Sequence, residues 1–162
     1  MDADVGDRGH DLVRVLFQLE PDAWHGSATE RLWAEPVGHG RFRLRNTPFF
    51  VFGVSFCDVV FGEEHDGELV FSGVSLRGGH STYRLMPMKE RRGDLAQYWA
   101  PLEELGCSYE EEGRVLAVDV PPNANIYDVY NLLEAGYSAR VWDFEEGHCG
   151  HPLSREGLGS AE

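Results

Sequence analysis

The feature that most constrains this chain is a change of hydrophobic period at Arg77-Gly78-Gly79. Upstream, apolar residues recur every second position in short runs closed by turn residues. Downstream, runs of period two alternate with runs of period 3.6, and the two periods belong to strands and helices respectively. A chain patterned this way is α+β, with an all-strand half followed by a mixed half.

In the first half, residues 12–20 place Val13, Val15, Phe17 and Leu19 on one face of a strand. A second strand is predicted over residues 30–37. Gly38-His39-Gly40 then turns the chain into residues 41–45, where Phe42 and Leu44 alternate inward with Arg41, Arg43 and Arg45 outward. Short strands follow at 49–52, 58–62 and 68–76. Six short strands with frequent turn residues predict a small β-barrel or strongly curled sheet over residues 12–78.

Residues 79–147 read as a ferredoxin-like β-α-β-β-α-β sandwich packed on that barrel. A strand over 80–88 leads to a helix that Asp94 can cap and Gly106 can end, with Leu95, Tyr98, Trp99, Leu102 and Leu105 on one side. Pro101 should kink or shorten it. Arms at 107–111 and 114–120 form a hairpin. Asn125 can cap a second helix carrying Ile126, Val129, Tyr130 and Leu133, with Gly136 beyond it, and residues 139–145 make the last strand. Residues 1–11 read as a disordered tail and residues 148–162 as a flexible one.

A formal charge of −14 opposes binding to nucleic-acid backbones and anionic membranes. Residues 1–80 carry 13 acids against 7 bases and residues 81–162 carry 15 against 7, so neither half is a basic module. No apolar run approaches the roughly 20 residues of a membrane helix. The three cysteines, Cys57, Cys107 and Cys149, are odd in number and widely spaced, which fits a reducing compartment. With an acidic N-terminus unlike a secretory signal, the expected location is the cytoplasm.

The best site candidate is Gly78-Gly79-His80-Ser81-Thr82-Tyr83-Arg84. Strand alternation puts His80, Thr82 and Arg84 on one face and Ser81 and Tyr83 on the other. A His and an Arg side by side can hold a carboxylate or phosphate, the Arg through a two-pronged contact. The competing reading is a glycine hinge before an ordinary strand. Ser81 is a poor nucleophile candidate, because its neighbour His80 points to the opposite face. A second candidate is His148-Cys149-Gly150-His151, whose His148, Cys149 and His151 are of zinc-ligand type. A structural zinc site needs a second ligand pair that this chain lacks, so an idle linker is favoured and no metal is expected.

Arg41, Arg43 and Arg45 beside Phe49, Phe50 and Phe52 form a basic, aromatic stripe. The overall charge opposes a nucleic-acid role, and Glu30 and Glu35 on neighbouring strands can neutralise the stripe. Trp33 reads as a packing residue on an inner face. No phosphate loop, dinucleotide fingerprint, nucleophile elbow or zincin helix is present, so no cofactor is expected.

Several phrases together resemble a bacterial family, domain of unknown function 4265. They include Leu32-Trp33-Ala34-Glu35-Pro36, Asn46-Thr47-Pro48-Phe49-Phe50, Gly53-Val54-Ser55-Phe56-Cys57-Asp58-Val59-Val60 and Gly79-His80-Ser81-Thr82-Tyr83-Arg84. The likeness covers most of residues 12–147. It implies that Trp33, Glu35, Asp58, His80, Ser81 and Arg84 share a site, without assigning roles, and it implies Gly where Cys57 stands. The expected function is a binding or interaction protein, accessory or immunity-type, taking a peptide or small anionic ligand in the groove between barrel and sandwich. An exposed edge strand also offers a homodimer surface. The alternative is a small hydrolase or transferase with His80 as general base and Arg84 anchoring an anionic group, which requires a carboxylate such as Glu35 or Asp58 to orient His80.

Overall fold

The computed structural model of the chain describes residues 11–153. Most of both sequence-predicted tails, residues 1–10 and 154–162, lies outside the described residues. The fold is α+β, mostly strand, with two α-helices.

The first five strands are β1 (Val13–Gln18), β2 (Thr29–Gly38), β3 (Arg41–Leu44), β4 (Val59–His65) and β5 (Glu68–Leu76). They pair in sequence order, and β1 also pairs in parallel with β5, so the two ends of this curled sheet meet. Val15, Phe17, Leu32, Ala34 and Leu44 point into its centre and are buried, as period-two alternation demands.

The second sheet contains β6 (Ser81–Pro87), β7 (Ser108–Glu112), β8 (Val115–Val120) and β9 (Trp142–His148). Its order is β7-β8-β6-β9, with every neighbouring pair antiparallel. One face packs on α1 (Leu95–Glu104) and α2 (Ile126–Ser138), where Tyr83, Leu85, Val118, Leu102, Val129, Leu133 and Trp142 make the larger core.

Local chemistry fixes the helix ends. Asn125 accepts hydrogen bonds from the backbone N–H groups of Tyr127 and Asp128 at 2.9 and 3.1 Å, capping α2. At the end of α1, Gly106 takes φ 98°, its N–H reaches Glu103 O, and Cys107 N–H reaches Leu102 O. That is a Schellman turn, and it ends the helix three residues beyond Pro101. Asp94 makes no side-chain cap. The helix is instead entered from a 3-10 segment, Lys89–Asp94.

Gly136 lies inside α2 rather than beyond it, because its role is contact. A Cβ there would stand 2.2 Å from Cε2 of Trp142, whose indole Nε1 donates to Leu133 O at 2.9 Å. The missing side chain lets the tryptophan lie flat on the helix.

Two expectations fail for clear reasons. Residues 49–52 form no strand. The Glu30 carboxylate accepts three consecutive N–H groups, from Phe49, Phe50 and Val51, at 2.6, 2.9 and 2.9 Å. Strand N–H groups alternate in direction and cannot converge this way. Trp33 is also not an inner-face residue: it is 43% exposed, since β2 alternates and buries Leu32 and Ala34 instead.

Candidate functional site

Among the described residues the second sheet's other face carries no helix. The loop of residues 45–58, between β3 and β4, lies across it, and of the sequence-selected residues Asp58, His80, Thr82 and Arg84 belong to this seam. Glu30 gathers the loop's amides from the β2 side. From β7, Glu110 accepts from Thr47 N–H at 3.1 Å and from the Asn46 side chain at 3.4 Å. Gly53 N–H donates to Gly147 O on β9 at 3.0 Å.

Asp58 is wholly buried and saturated. It accepts from Ser55 N–H at 2.9 Å, Gly78 N–H at 2.8 Å and Arg77 Nη1 at 3.1 Å. Cys57, immediately before it, holds φ at 75°, a conformation that suits glycine. The tight turn that the resemblance implies therefore forms despite the cysteine. Burial pushes the Cys57 thiol above its ordinary pKa, with Arg45 and Arg43 opposing the rise and Asp119 and Asp58 adding to it, the reverse of what activates a thiolate.

Along β6, alternation divides the polar residues between the two faces as the period requires. Thr82 Oγ1 shares a 2.6 Å hydrogen bond with Ser55 Oγ of the loop. Arg84 is 0% exposed and donates through Nη2 to Val51 O. Its guanidinium lies 5.0 Å from the Phe52 ring centroid, and its Nη1 is 3.7 Å from Glu145. Nε and Nη1 have no hydrogen-bond partner. Desolvation lowers the Arg84 pKa, and Glu145 and Glu30 oppose that shift. Gly147 makes room for it, because a Cβ there would meet Nη1 at 2.5 Å.

His80 precedes β6 and hydrogen-bonds through Nδ1 to Asp119 at 2.8 Å. The Phe56 ring meets it edge-on at 5.2 Å. Burial raises the Asp119 pKa, while His80 pulls it down. The orienting carboxylate is thus Asp119, not Glu35 or Asp58. Asp119 went unnoticed in the sequence because it sits mid-strand in an apolar run, and only the pairing Thr82↔Asp119 brings it beside β6.

Ser81 leaves the opposite side. Its hydroxyl meets His151 Nδ1 at 2.6 Å and accepts from Gly150 N–H at 2.8 Å, and His151 Nε2 lies 2.8 Å from Pro121 O. A carbonyl only accepts, so Nε2 carries the proton and Ser81 donates to Nδ1. This resembles a nucleophile and its base, but Ser81 is 0% exposed and no substrate carbon can reach it. The reading of residues 148–151 as an idle, mobile linker does not describe this stretch: His148 ends β9 and His151 is buried.

Nor do those residues converge. His148 Nε2 faces Arg77 at 3.4 Å, Cys149 Sγ lies 3.6 Å from His151 O, and His151 turns to Ser81. Among the described residues no group of three or more His, Cys, Asp or Glu is placed to hold a metal ion. Glu35 lies on the outer side of β2, 3.5 Å from Arg43 and 4.0 Å from Arg45.

A groove of about 430 Å³ runs along the seam between β2, the loop and β7, lined among others by Arg14, Arg31, Trp33, Phe49, Phe50 and Glu112. The Arg14 guanidinium stacks 5.1 Å from the Trp33 ring. Of the residues that the resemblance groups into one site only Trp33 lines it; Glu35, Asp58, His80, Ser81 and Arg84 do not, nor does Thr82.

Residues 30–144 match the family model described as Domain of unknown function (DUF4265). The chain belongs to this family. A crystal structure of a hypothetical protein from Neisseria gonorrhoeae is similar to it, with a TM-score of 0.72 and 20% identity, covering 86% of this chain and 98% of that one. At that identity the likeness is one of fold alone. No curated protein matches the chain. Among the described residues no helix is long and apolar enough to cross a membrane.

Proposed function

We propose that this DUF4265 protein is a cytoplasmic binding or interaction module, accessory or immunity-type, that takes a peptide or small anionic group in the groove between its two sheets. The observation that carries the reading is Trp33, 43% exposed, stacked by Arg14 along that groove. An exposed tryptophan beside arginine supplies a flat apolar surface with a charge at its rim, the combination enriched where binding energy concentrates. Glu30 and Glu110 also line the groove, but both accept hydrogen bonds from loop groups. Arg31 is paired with Glu68, so Arg14 is the cation left to meet a carboxylate or phosphate, and Glu112, the third carboxylate of the lining, disfavours an anion near itself. Among the described residues β7 is an edge strand, and that flank suits strand addition by a peptide or a second copy. We read the β7-β8-β6-β9 half as ferredoxin-like and the curled sheet as barrel-like, which makes the groove an inter-subdomain one.

The test is fluorescence anisotropy with a labelled peptide of about ten residues alternating Glu and Leu, with inorganic phosphate as competitor. Trp33→Ala and Arg14→Ala should each weaken binding by about tenfold, the effect of ~1.4 kcal/mol. Equal affinity in folded wild-type and Trp33→Ala protein would remove the groove as the site.

One observation favours a second reading, a small hydrolase or transferase: the 2.8 Å His80–Asp119 hydrogen bond is the arrangement of an oriented general base. In that reading Arg84 cannot anchor substrate without the loop lifting, since Val51 and Phe52 cover it. Turnover of activated ester or phosphoester substrates that vanishes in His80→Gln would support it. Turnover unaffected by that change would exclude it.

A further inference from the structure

The opposite edge of the second sheet carries a different surface. β9 pairs with β6 on one flank and, among the described residues, has no strand on the other. Alongside it lies α2, and between them runs a groove of about 570 Å³. It is lined by Tyr130, Tyr137 and Phe144 and by the carboxylates of Glu134, Asp143, Glu145 and Glu146, of which Glu146 also accepts from the Tyr83 hydroxyl at 3.1 Å. Tyr130 and Tyr137 are 43% and 52% exposed, and each meets the Phe144 ring edge-on, at 5.8 and 6.2 Å. The groove continues into a smaller apolar pocket of about 260 Å³ that shares Tyr130 and Glu146 and adds Ile126 and Leu153.

The geometry points to a docking site for a basic, extended segment of a partner protein, added as a strand beside β9. Three features select that occupant. The free strand flank offers main-chain hydrogen bonds to an extended chain. The groove lining contains carboxylates and no basic residue, so the matching charge is Lys or Arg. The exposed Tyr130 and Tyr137 rings can accept the same cations through their π clouds. The adjoining apolar pocket then fits one aliphatic side chain of the segment. Glu145, the remaining carboxylate of the groove, is drawn toward Arg84 at 3.7 Å and holds the strand rather than the partner. The β7-side groove plays no part in this inference, so the two surfaces stand or fall separately.

Anisotropy with a labelled peptide of about ten residues alternating Lys and Leu tests it, beside its Glu-Leu counterpart and spermidine as competitor. The Lys-Leu peptide should bind, its affinity should fall steeply with salt, and hydrogen exchange at β9 amides should slow on binding. The triple variant Glu134→Gln/Asp143→Asn/Glu146→Gln should lose about tenfold or more, and Tyr130→Ala a similar factor, with Trp33→Ala unchanged. Equal affinity of the Trp33→Ala protein for the Lys-Leu and Glu-Leu peptides, full displacement by spermidine with no β9 protection, or unchanged binding by the folded triple variant would each overturn the assignment.

Discussion

Tyr83 and Leu85 leave β6 toward α1 and α2 and enter a core of Leu, Val, Ile and Trp side chains. Thr82 and Arg84 leave the same strand on its other face and meet the loop of residues 45–58 through hydrogen bonds to Ser55 and Val51. One strand therefore supports two kinds of interior. The apolar face loses stability by volume, in steps that scale with the methylenes removed. The polar face loses it by partner, because each deletion leaves a buried group without its hydrogen bond. The first kind of interior tolerates shape errors. The second specifies one loop conformation.

The sharpest break in that contrast is Asp58, which serves three donors from one buried carboxylate. Asp58→Ala should cost about 3–5 kcal/mol, because two amides and the Arg77 guanidinium lose a charged acceptor together. Leu133→Ala on the apolar side should cost about 2–5 kcal/mol, but Leu133→Met, which keeps its volume, should cost under about 1.5. Asp58→Asn, also volume-conserving, should stay close to the alanine variant. Urea denaturation of the four variants measures this. A mild Asp58→Asn would show that shape, not charge, governs the seam.

Arg84 tests the contrast from the other side. It is buried like a core residue, yet two of its nitrogens have no hydrogen-bond partner. Arg84→Met keeps the bulk, removes the unpaired donors and leaves Glu145 near enough to solvent to rehydrate. Its cost should be about 1 kcal/mol or less, against about 3 for Arg84→Ala, which also opens a cavity. If both variants cost the same, the hydrogen bond to Val51 O dominates and the seam depends on that one contact.

The legible part of this molecule was its periodicity. Alternation along residues 80–84 separated Ser81 from Thr82 and Arg84, and helical spacing with Asn125 located α2. Long-range pairing was not legible. Glu30 reorganises a loop about twenty residues downstream, and Asp119 reaches His80 only through sheet register. Asp119 is the one acid of an apolar strand, and Glu30 reads like Glu35 as a partner for the arginine stripe, so nothing local marks either contact. Tryptophan's apolar bulk suggests burial for Trp33, but strict alternation with buried Leu32 and Ala34 places it outside.

Backbone strain gives a smaller test of the seam. Cys57 holds φ 75° without a hydrogen-bonding side chain to justify it, while Gly there would adopt the angle freely. Strain of this kind costs of order 1 kcal/mol, and the added flexibility of glycine in the unfolded chain returns part of that. Cys57→Gly should therefore raise the unfolding free energy slightly, by up to about 1 kcal/mol, seen as a higher urea midpoint, and Cys57→Ala should not. Equal midpoints for Gly and Ala would mean the turn is unstrained.

The smallest effect concerns pH. Burial lowers the His148 pKa from 6.5, with the Arg77 charge adding to it and Asp58 and Glu146 opposing it. A histidine harder to protonate when folded leaves the protein at full stability above about pH 6.5, and that stability drains as pH falls toward the lowered folded value. The carboxylates contribute their own acid dependence, so the meaningful quantity is a difference between proteins. Between about pH 7.5 and about pH 5.5 the wild type should lose more stability than His148→Gln, which has no proton to refuse. The partly exposed position keeps the difference modest. Parallel losses in the two proteins would mean that Asp58 and Glu146 already offset the desolvation, and that β9 meets the seam without a titrating contact.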